Sequence, residues 1–203
     1  MNGFIPVNGS LKCEYFSMRG SCPRRRANSA IQSICKDMVL LMDWKKESKL
    51  DSRSRIHEIR ELMEINDCTG AFYCENSRKG ACVWIAHTDG PSIKLRVVAM
   101  KQMRFFPGNV FKECGALLLF AKGFSSGPHL RFKELVQKLY STDKPKDRML
   151  CFYIHGGLVW MRCYHLKTME EVGPRLTLRI EKTLEGCFCG KSTIDHGGGE
   201  PQE

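Results

Sequence analysis

A run of basic and aromatic residues between Gly90 and Lys112 has the clearest chemical potential in this sequence. It contains five basic residues, three phenylalanines and no acidic residue. Ammonium and guanidinium groups neutralise phosphates, and exposed aromatic rings stack on unpaired bases, so this composition predicts RNA binding. The alternative, in which the rings fill the protein interior, stays open. The predicted RNA contacts in this run are Lys94, Arg96, Lys101, Arg104, Phe105 and Lys112.

A second basic cluster lies at the start of the first predicted helix. Three consecutive arginines in a first helical turn are unfavourable for the helix itself, because the helix dipole prefers acidic residues there. The free N–H groups of a helix N-terminus also bind phosphate. We therefore expect an external anion at this cluster, and a solvated run of charge is the alternative. Its residues are Arg19, Arg24, Arg25 and Arg26.

A Gly-Pro-Arg motif ending at Arg175 is the third candidate. Proline fixes its own φ and restricts the residue before it, while glycine adopts backbone angles that other residues avoid. The motif thus delivers Arg175 to the start of a strand that also carries Arg179 on its outward side. Arg175 is expected either to contact RNA or to pair with a neighbouring acid such as Glu170 or Glu171.

Motifs of the common enzyme classes are missing from the sequence. It has no P-loop, no dinucleotide-binding glycine turn, no nucleophile elbow and no zinc-protease helix. The eleven cysteines are expected to be reduced, mostly buried thiols. Cys187 and Cys189 lie near Asp195 and His196, but no second cysteine pair completes a zinc site. We therefore predict no catalytic residue, no metal, no cofactor and no small-molecule substrate.

The overall composition favours a folded, basic protein. The chain has 203 residues, of which 42% are hydrophobic, and a formal net charge of +10. A field of that sign attracts nucleic acid or anionic lipid. The longest apolar runs are much shorter than a membrane span, and the N-terminus lacks the apolar core of a signal peptide. No membrane partner is therefore expected.

One sequence pattern occurs twice. Between Ala81 and Val97, a Val-Trp strand is followed by Gly-Pro and a strand that alternates apolar with polar residues. The same pattern, with a longer spacer, extends from Leu158 to Ile180. Because two copies are too few for a solenoid, the repeat predicts one domain made of two related halves.

Each half is predicted as a strand, a helix and three further strands, with a second helix in the first half only. Residues 45–55 are expected to form a solvated loop. The predicted boundaries are an N-terminal tail at 1–10, a first half at 11–104, a second half at 105–190 and a disordered tail at 191–203. Predicted helices span 24–43, 53–65 and 128–140, and predicted strands span 11–18, 71–75, 81–87, 92–100, 116–120, 149–155, 158–165 and 175–182.

Several segments resemble a known family. The segment E-V-G-P-R-L-T-L-R-I-E-K-T-L-E-G resembles the signature of the Brix-domain family of ribosome assembly factors. The segments W-K-K-E-S-K-L-D, A-F-Y-C-E-N and D-G-P-S-I-K-L-R-V are similar to one branch of that family, which acts in large-subunit assembly. The similarity extends over residues 11–190. The segment G-C-F-C-G-K-S-T-I-D departs from the family, which usually continues with Gly-Pro and a tyrosine.

The resemblance implies an α/β fold, a single Brix-type domain of two duplicated, anticodon-binding-like halves. It also implies binding to precursor ribosomal RNA in the nucleolus, during early large-subunit assembly, without catalysis. Other assembly factors and ribosomal proteins would be the partners. By position, the implied RNA contacts are Arg19, Arg24, Arg25, Arg26, Lys94, Arg96 and Arg175.

Two other functions stay open. The first is a protein-interaction scaffold whose basic surface is incidental, with an edge strand such as 11–18 accepting a partner strand. An RNA-processing enzyme is the third hypothesis, and it rests only on the RNA-like surface.

Overall fold

The computed structural model describes residues 11–16, 25–42, 45–47, 56–77, 80–107, 116–140 and 147–194. The helices are α1 (Arg25–Met42), α2 (Ile56–Ile65), α3 (Gly127–Tyr140) and a short 3-10 helix (Met103–Phe105). The strands are β1 (Leu11–Phe16), β2 (Lys45–Glu47), β3 (Cys68–Ser77), β4 (Gly80–His87), β5 (Ser92–Lys101), β6 (Ala116–Phe120), β7 (Arg148–His155), β8 (Leu158–His165), β9 (Arg175–Leu184) and β10 (Ser192–Ile194).

The strands form one mixed sheet in the order β2-β1-β3-β4-β5-β9-β8-β7-β6, and β10 pairs with the end of β9. The two strands that follow the Gly-Pro repeats, β5 and β9, pair antiparallel at the centre. On each side of this pair lie two antiparallel neighbours and then a parallel strand. The predicted α/β fold with two duplicated halves is therefore confirmed.

The main core lies between one face of the sheet and helices α1 and α3. In α1 the apolar positions Ile31, Ile34, Met38 and Leu41 recur every three or four residues, and all four are buried. They pack in one cluster with Leu135 of α3 and with the inward residues of the central strands. Helix α2 packs on the opposite face of the first half, in a second cluster with β3 and β4.

The repeats share a backbone conformation as well as a sequence. The Gly90–Pro91 and Gly173–Pro174 peptide bonds are both cis, and the two glycines have φ values of 69° and 70°. The hairpin between β7 and β8 turns on Gly156 and Gly157, which also have positive φ, as the sequence predicted.

Three expectations about the chain ends and edges were wrong. Residues 45–47 are not loop but form the short charged edge strand β2, which pairs with β1 in parallel. The strand at 11–16 is consequently not an edge, because it lies between β2 and β3. Within the segment expected to be a disordered tail, Ser192–Ile194 pairs with β9, because that strand continues to Leu184 and offers a partner. Residues 195–203 lie outside the described ranges.

The expectation of reduced thiols was wrong for Cys35, Cys68 and Cys74. A disulfide joins Cys35 of α1 to Cys74 of β3, and Cys68 is disulfide-bonded too. Local sequence gave no sign of the Cys35–Cys74 bridge, because the two residues meet only when α1 packs on the inner face of the sheet. Cys82, Cys151, Cys163, Cys187 and Cys189 are free thiols. None of the described helices is long and apolar enough to cross a membrane.

Candidate nucleic-acid interface

Basic and aromatic side chains meet where the two halves join. Lys101, at the end of β5, is directly opposite Arg175, at the start of β9. The 3-10 helix follows β5 at once and places further basic and aromatic side chains at the same end of the strand pair. We call this group the junction cluster, and it consists of Lys101, Arg104, Phe105, Phe106 and Arg175.

One phenylalanine ring holds two of the cations. The Lys101 Nζ lies 4.4 Å from the centroid of the Phe106 ring, and the Arg175 guanidinium carbon lies 5.5 Å from it. Both distances are within the range of cation–π attraction. Gly173 packs against the same ring so closely that a Cβ there would lie 2.4 Å from Cδ2 of Phe106. The Gly-Pro motif therefore positions the ring as well as the arginine.

The second ring of the cluster faces solvent. Phe105 is 58% exposed, and the Arg104 guanidinium carbon lies 4.8 Å from its ring centroid. Lys101 and Arg104 are exposed as well. An uncovered ring in one cluster with two exposed cations is suited to stacking on a base while the cations contact phosphates.

Arg175 is paired with an acid, as one of the two alternatives predicted. Its Nε donates to Oε1 of Glu171 over 2.9 Å, and its Nη2 donates to Oε2. The hydrogen bonds to Glu171 raise the pKa of Arg175. The side chain nevertheless stays 41% exposed. A phosphate that contacts Arg175 would therefore bind a guanidinium whose charge is already partly neutralised by Glu171.

Lys94, Arg96 and Arg179 form a row across β5 and β9 on the outward face of the sheet, as the alternation predicted. Two of them are neutralised within the protein. The Lys94 Nζ lies 3.1 Å from Oε2 of Glu75, and Arg96 bonds Glu181. Arg179 is exposed and directly opposite Arg96. This pairing makes Lys94 and Arg96 weaker candidates for phosphate contact than Lys101 and Arg104.

The structure describes two of the five remaining predicted RNA contacts. Arg25 and Arg26 lie in the first turn of α1, which contains no acidic residue. Arg19, Arg24 and Lys112 fall outside the described residues.

A buried carboxylate that the sequence analysis missed anchors the junction cluster. Asp37 of α1 is 8% exposed, and its Oδ2 accepts a hydrogen bond of 2.8 Å from the Met103 N–H. The bond fixes the first residue of the 3-10 helix that carries Arg104 and Phe105. The available signal was a polar residue on the apolar stripe of α1, three positions after Ile34 and four before Leu41.

Replacement of Asp37 is expected to loosen the cluster. Asp37→Ala removes the buried carboxylate that accepts from the Met103 N–H, and loss of this bond costs about 1–3 kcal/mol in the free energy of unfolding. Asp37→Asn keeps an acceptor and is expected to cost less. Urea denaturation of the two variants beside the wild type measures both effects, and equal stabilities for Ala and Asn would contradict the anchoring role.

The pH dependence of the same comparison has a defined sign. Burial raises the pKa of Asp37 above its usual 3.8, although the Met103 bond and the Arg104 charge oppose that shift. A raised pKa means that the folded state holds the proton more tightly than the unfolded state does. Protonation of Asp37 therefore stabilises the fold at low pH, and this stabilisation is lost as the pH rises through the folded-state pKa. The stability of the wild type relative to Asp37→Asn is therefore expected to fall as the pH rises from 3.8.

Cys187 and Cys189, the two cysteines considered as metal ligands, contact residues of α2. Cys187 Sγ lies 3.7 Å from the Met63 sulfur, and Cys189 Sγ lies 3.5 Å from an Arg60 nitrogen. Within the described ranges, no three histidine, cysteine or acidic side chains are grouped to hold an ion. Asp195 and His196 lie beyond those ranges.

Comparison with known proteins identifies the family. The sequence matches the Brix domain over residues 24–182. The ribosome biogenesis protein brx1 of Schizosaccharomyces pombe is 32% identical over 93% of this chain and 69% of its own length. The human ribosome biogenesis protein BRX1 homolog is 27% identical over 89% of this chain and 54% of its own length. The chain thus spans about half the length of the human relative.

A solved structure shares the fold of this chain. The crystal structure of a probable ribosomal biogenesis protein from Aeropyrum pernix K1 aligns with a TM-score of 0.54 and 13% identity. The alignment covers 83% of this chain and 96% of that chain. Both sequence relatives are named ribosome biogenesis protein Brx1, which is the branch of the family that the sequence segments indicated. This chain belongs to the Brix domain family.

Proposed function

We propose that the chain is a ribosome biogenesis factor that binds precursor ribosomal RNA through the junction cluster. Its place of action would be the nucleolus and its step early large-subunit assembly. It would act by holding RNA rather than by catalysis. The names of its relatives support the ribosome biogenesis role, and the formal charge of +10 supports a nucleic-acid partner.

The observation that carries the proposal is the uncovered Phe105 ring, which has the exposed Arg104 guanidinium over it and the exposed Lys101 in the same cluster. Within the described part of the chain, no carboxylate forms an ion pair with either cation. Two exposed cations without an ion-paired carboxylate, in one cluster with an exposed ring, match an unpaired nucleotide, which offers a flat base and adjacent phosphates.

The Phe105→Ala variant tests the stacking. Loss of one base–aromatic stack costs about 1–3 kcal/mol, so the dissociation constant should rise roughly 5- to 150-fold. The probe is a fluorescently labelled, transcribed fragment of precursor large-subunit ribosomal RNA, and binding is followed by fluorescence anisotropy.

Met169→Ala is the matched control, because Met169 has the same 58% exposure but lies outside the cluster. Wild-type affinity is expected for this control. The proposal fails if the unmodified chain does not bind these fragments. It also fails if Phe105→Ala binds as tightly as Met169→Ala.

A further inference from the structure

A row of three cations crosses three strands of the sheet at the junction between the halves. Lys101 of β5 is directly opposite Arg175 of β9. Met161 of β8 pairs with Leu176 of β9. The residues next to that pair, Arg162 and Arg175, are therefore side by side as well. Because like charges at opposed positions destabilise a sheet, this register favours an anion between the two arginines.

Glu171 supplies that anion from within the protein. Its two carboxylate oxygens accept hydrogen bonds from Nε and Nη2 of Arg175, the first over 2.9 Å. Oε1 also lies 3.8 Å from Nε of Arg162. A carboxylate that bridges two arginines uses the same guanidinium donors that bind the oxygens of a phosphate. The Glu171 carboxylate thus stands where a phosphate would bind.

Both arginines are also held by contacts that do not involve Glu171. Arg162 Nη1 donates to two backbone carbonyl oxygens, one in β8 and one in β9, over 2.9 and 3.3 Å. The Arg175 guanidinium carbon lies 5.5 Å from the centroid of the Phe106 ring. The two cations should therefore keep their places when the carboxylate is removed, which would leave an anion site between them.

The repeat shows that the fold itself does not require this arrangement. In the first half, the residue after Gly-Pro is Ser92 rather than an arginine, and its partner across the strands is Ala86. Ala86 corresponds to Arg162, since each lies two residues after the tryptophan of the Val-Trp motif. The equivalent pair of the first half thus carries no charge. The arginine pair and its carboxylate belong to the second half alone.

The anion site opens toward the junction cluster. Arg162 is buried, but Arg175 is 41% exposed and shares the Phe106 ring with the exposed Lys101. We propose that Arg162 and Arg175 form a phosphate site that Glu171 occupies in the free protein, so that RNA at the junction cluster competes with this carboxylate for Arg175. The inference rests on the proposed function and names the residue that limits the affinity for RNA.

The Glu171→Gln variant tests the competition. Glutamine keeps an oxygen acceptor for Arg175 but removes the negative charge. The dissociation constant for the labelled precursor ribosomal RNA fragments should fall about 3- to 10-fold, and the slope of log K against log salt concentration should steepen by about one. A merely structural role of Glu171 predicts the opposite sign, because a loosened junction would bind RNA more weakly.

Glu170→Gln is the matched control. Glu170 is exposed, and among the described contacts its carboxylate pairs with neither arginine. Its variant removes the same charge one residue away and should bind RNA within about twofold of the wild type, because salt screens an exposed charge. Equal tightening by the two variants would reject the competition.

Arg175→Gln identifies the cation that gains affinity. In the wild-type background this change should alter the dissociation constant by less than about twofold, because Glu171 already offsets the charge of Arg175. In the Glu171→Gln background it should remove the whole gain of about 3- to 10-fold, since the two residues are coupled. A gain that survives Arg175→Gln would overturn the proposal.

Inorganic phosphate tests the anion site without RNA. A ligand that binds only the folded state raises the melting temperature. At matched ionic strength, replacing chloride with phosphate should raise the melting temperature of Glu171→Gln by about 2–4 °C more than that of Glu170→Gln. Equal shifts would reject the site. Failure of the wild type to bind RNA would sink the RNA-binding proposal, whereas the phosphate shift would still decide the anion site.

Discussion

Replacing Lys101 and Arg104 with glutamine is expected to weaken binding to precursor ribosomal RNA by about 10- to 100-fold at moderate salt, as expected for two lost phosphate contacts. Both side chains are exposed, and within the described residues neither forms an ion pair with a carboxylate. Their charge is therefore available to phosphate, unlike that of Lys94 and Arg96. Fluorescence anisotropy with the same labelled fragments measures the loss.

A matched pair of variants separates position from net charge. Lys122→Gln with Arg131→Gln also removes one lysine and one arginine charge. Both positions are exposed, Lys122 before α3 and Arg131 within it. This control is expected to change the affinity by much less than the junction variant. Equal weakening by the two double variants would show that overall charge, rather than the junction cluster, determines binding.

Gly173→Ala is expected to destabilise the protein by about 2–5 kcal/mol. Glycine there has a φ of 70°, and an alanine in the left-handed region costs about 1–2 kcal/mol. The new Cβ would also lie 2.4 Å from Cδ2 of Phe106, and forcing that ring aside adds about 1–3 kcal/mol. Chemical denaturation measures the total. RNA affinity should fall as well, because Phe106 holds Lys101 and Arg175.

Gly157→Ala isolates the backbone part of that cost. Gly157 has a nearly identical φ of 68°, but no atom lies within 4 Å of a Cβ built there. Its variant should lose only about 1–2 kcal/mol and retain RNA affinity. Similar losses for the two variants would mean that the contact with Phe106 contributes nothing to stability.

Much of the fold could be predicted from the sequence because its signals are local and occur twice. Alternation placed Ile93 and Leu95 inside and Lys94 and Arg96 outside, and the structure confirms that orientation. The Gly-Pro repeat indicated two related halves, whose last strands β5 and β9 pair at the centre of the sheet.

The candidate site was less predictable because its charges are set by distant residues. Glu181 neutralises Arg96 from a separation of 85 residues along the chain. The bond from Met103 to Asp37 spans 66 residues. Neither contact has a local periodic pattern. The pairing of Arg175 with Glu171 was foreseen as an alternative because the two residues are only four apart.

The comparison of the two halves explains why a duplicated fold can have two different surfaces. Tyr73 and Trp84 in the first half correspond to Tyr153 and Trp160 in the second. Among the described helices, only α2 of the first half lies on that face of the sheet. The two halves therefore differ on that face, although their strands repeat.

The salt dependence of RNA binding by the wild type and by the Lys101→Gln/Arg104→Gln variant tests the RNA interface most directly. Each phosphate contact contributes roughly one unit to the slope of log K against log salt concentration. We predict a slope of several units for the wild type and a slope shallower by about two for the variant. Identical slopes for the two proteins, or wild-type binding that does not respond to salt, would contradict phosphate contact by the junction cluster.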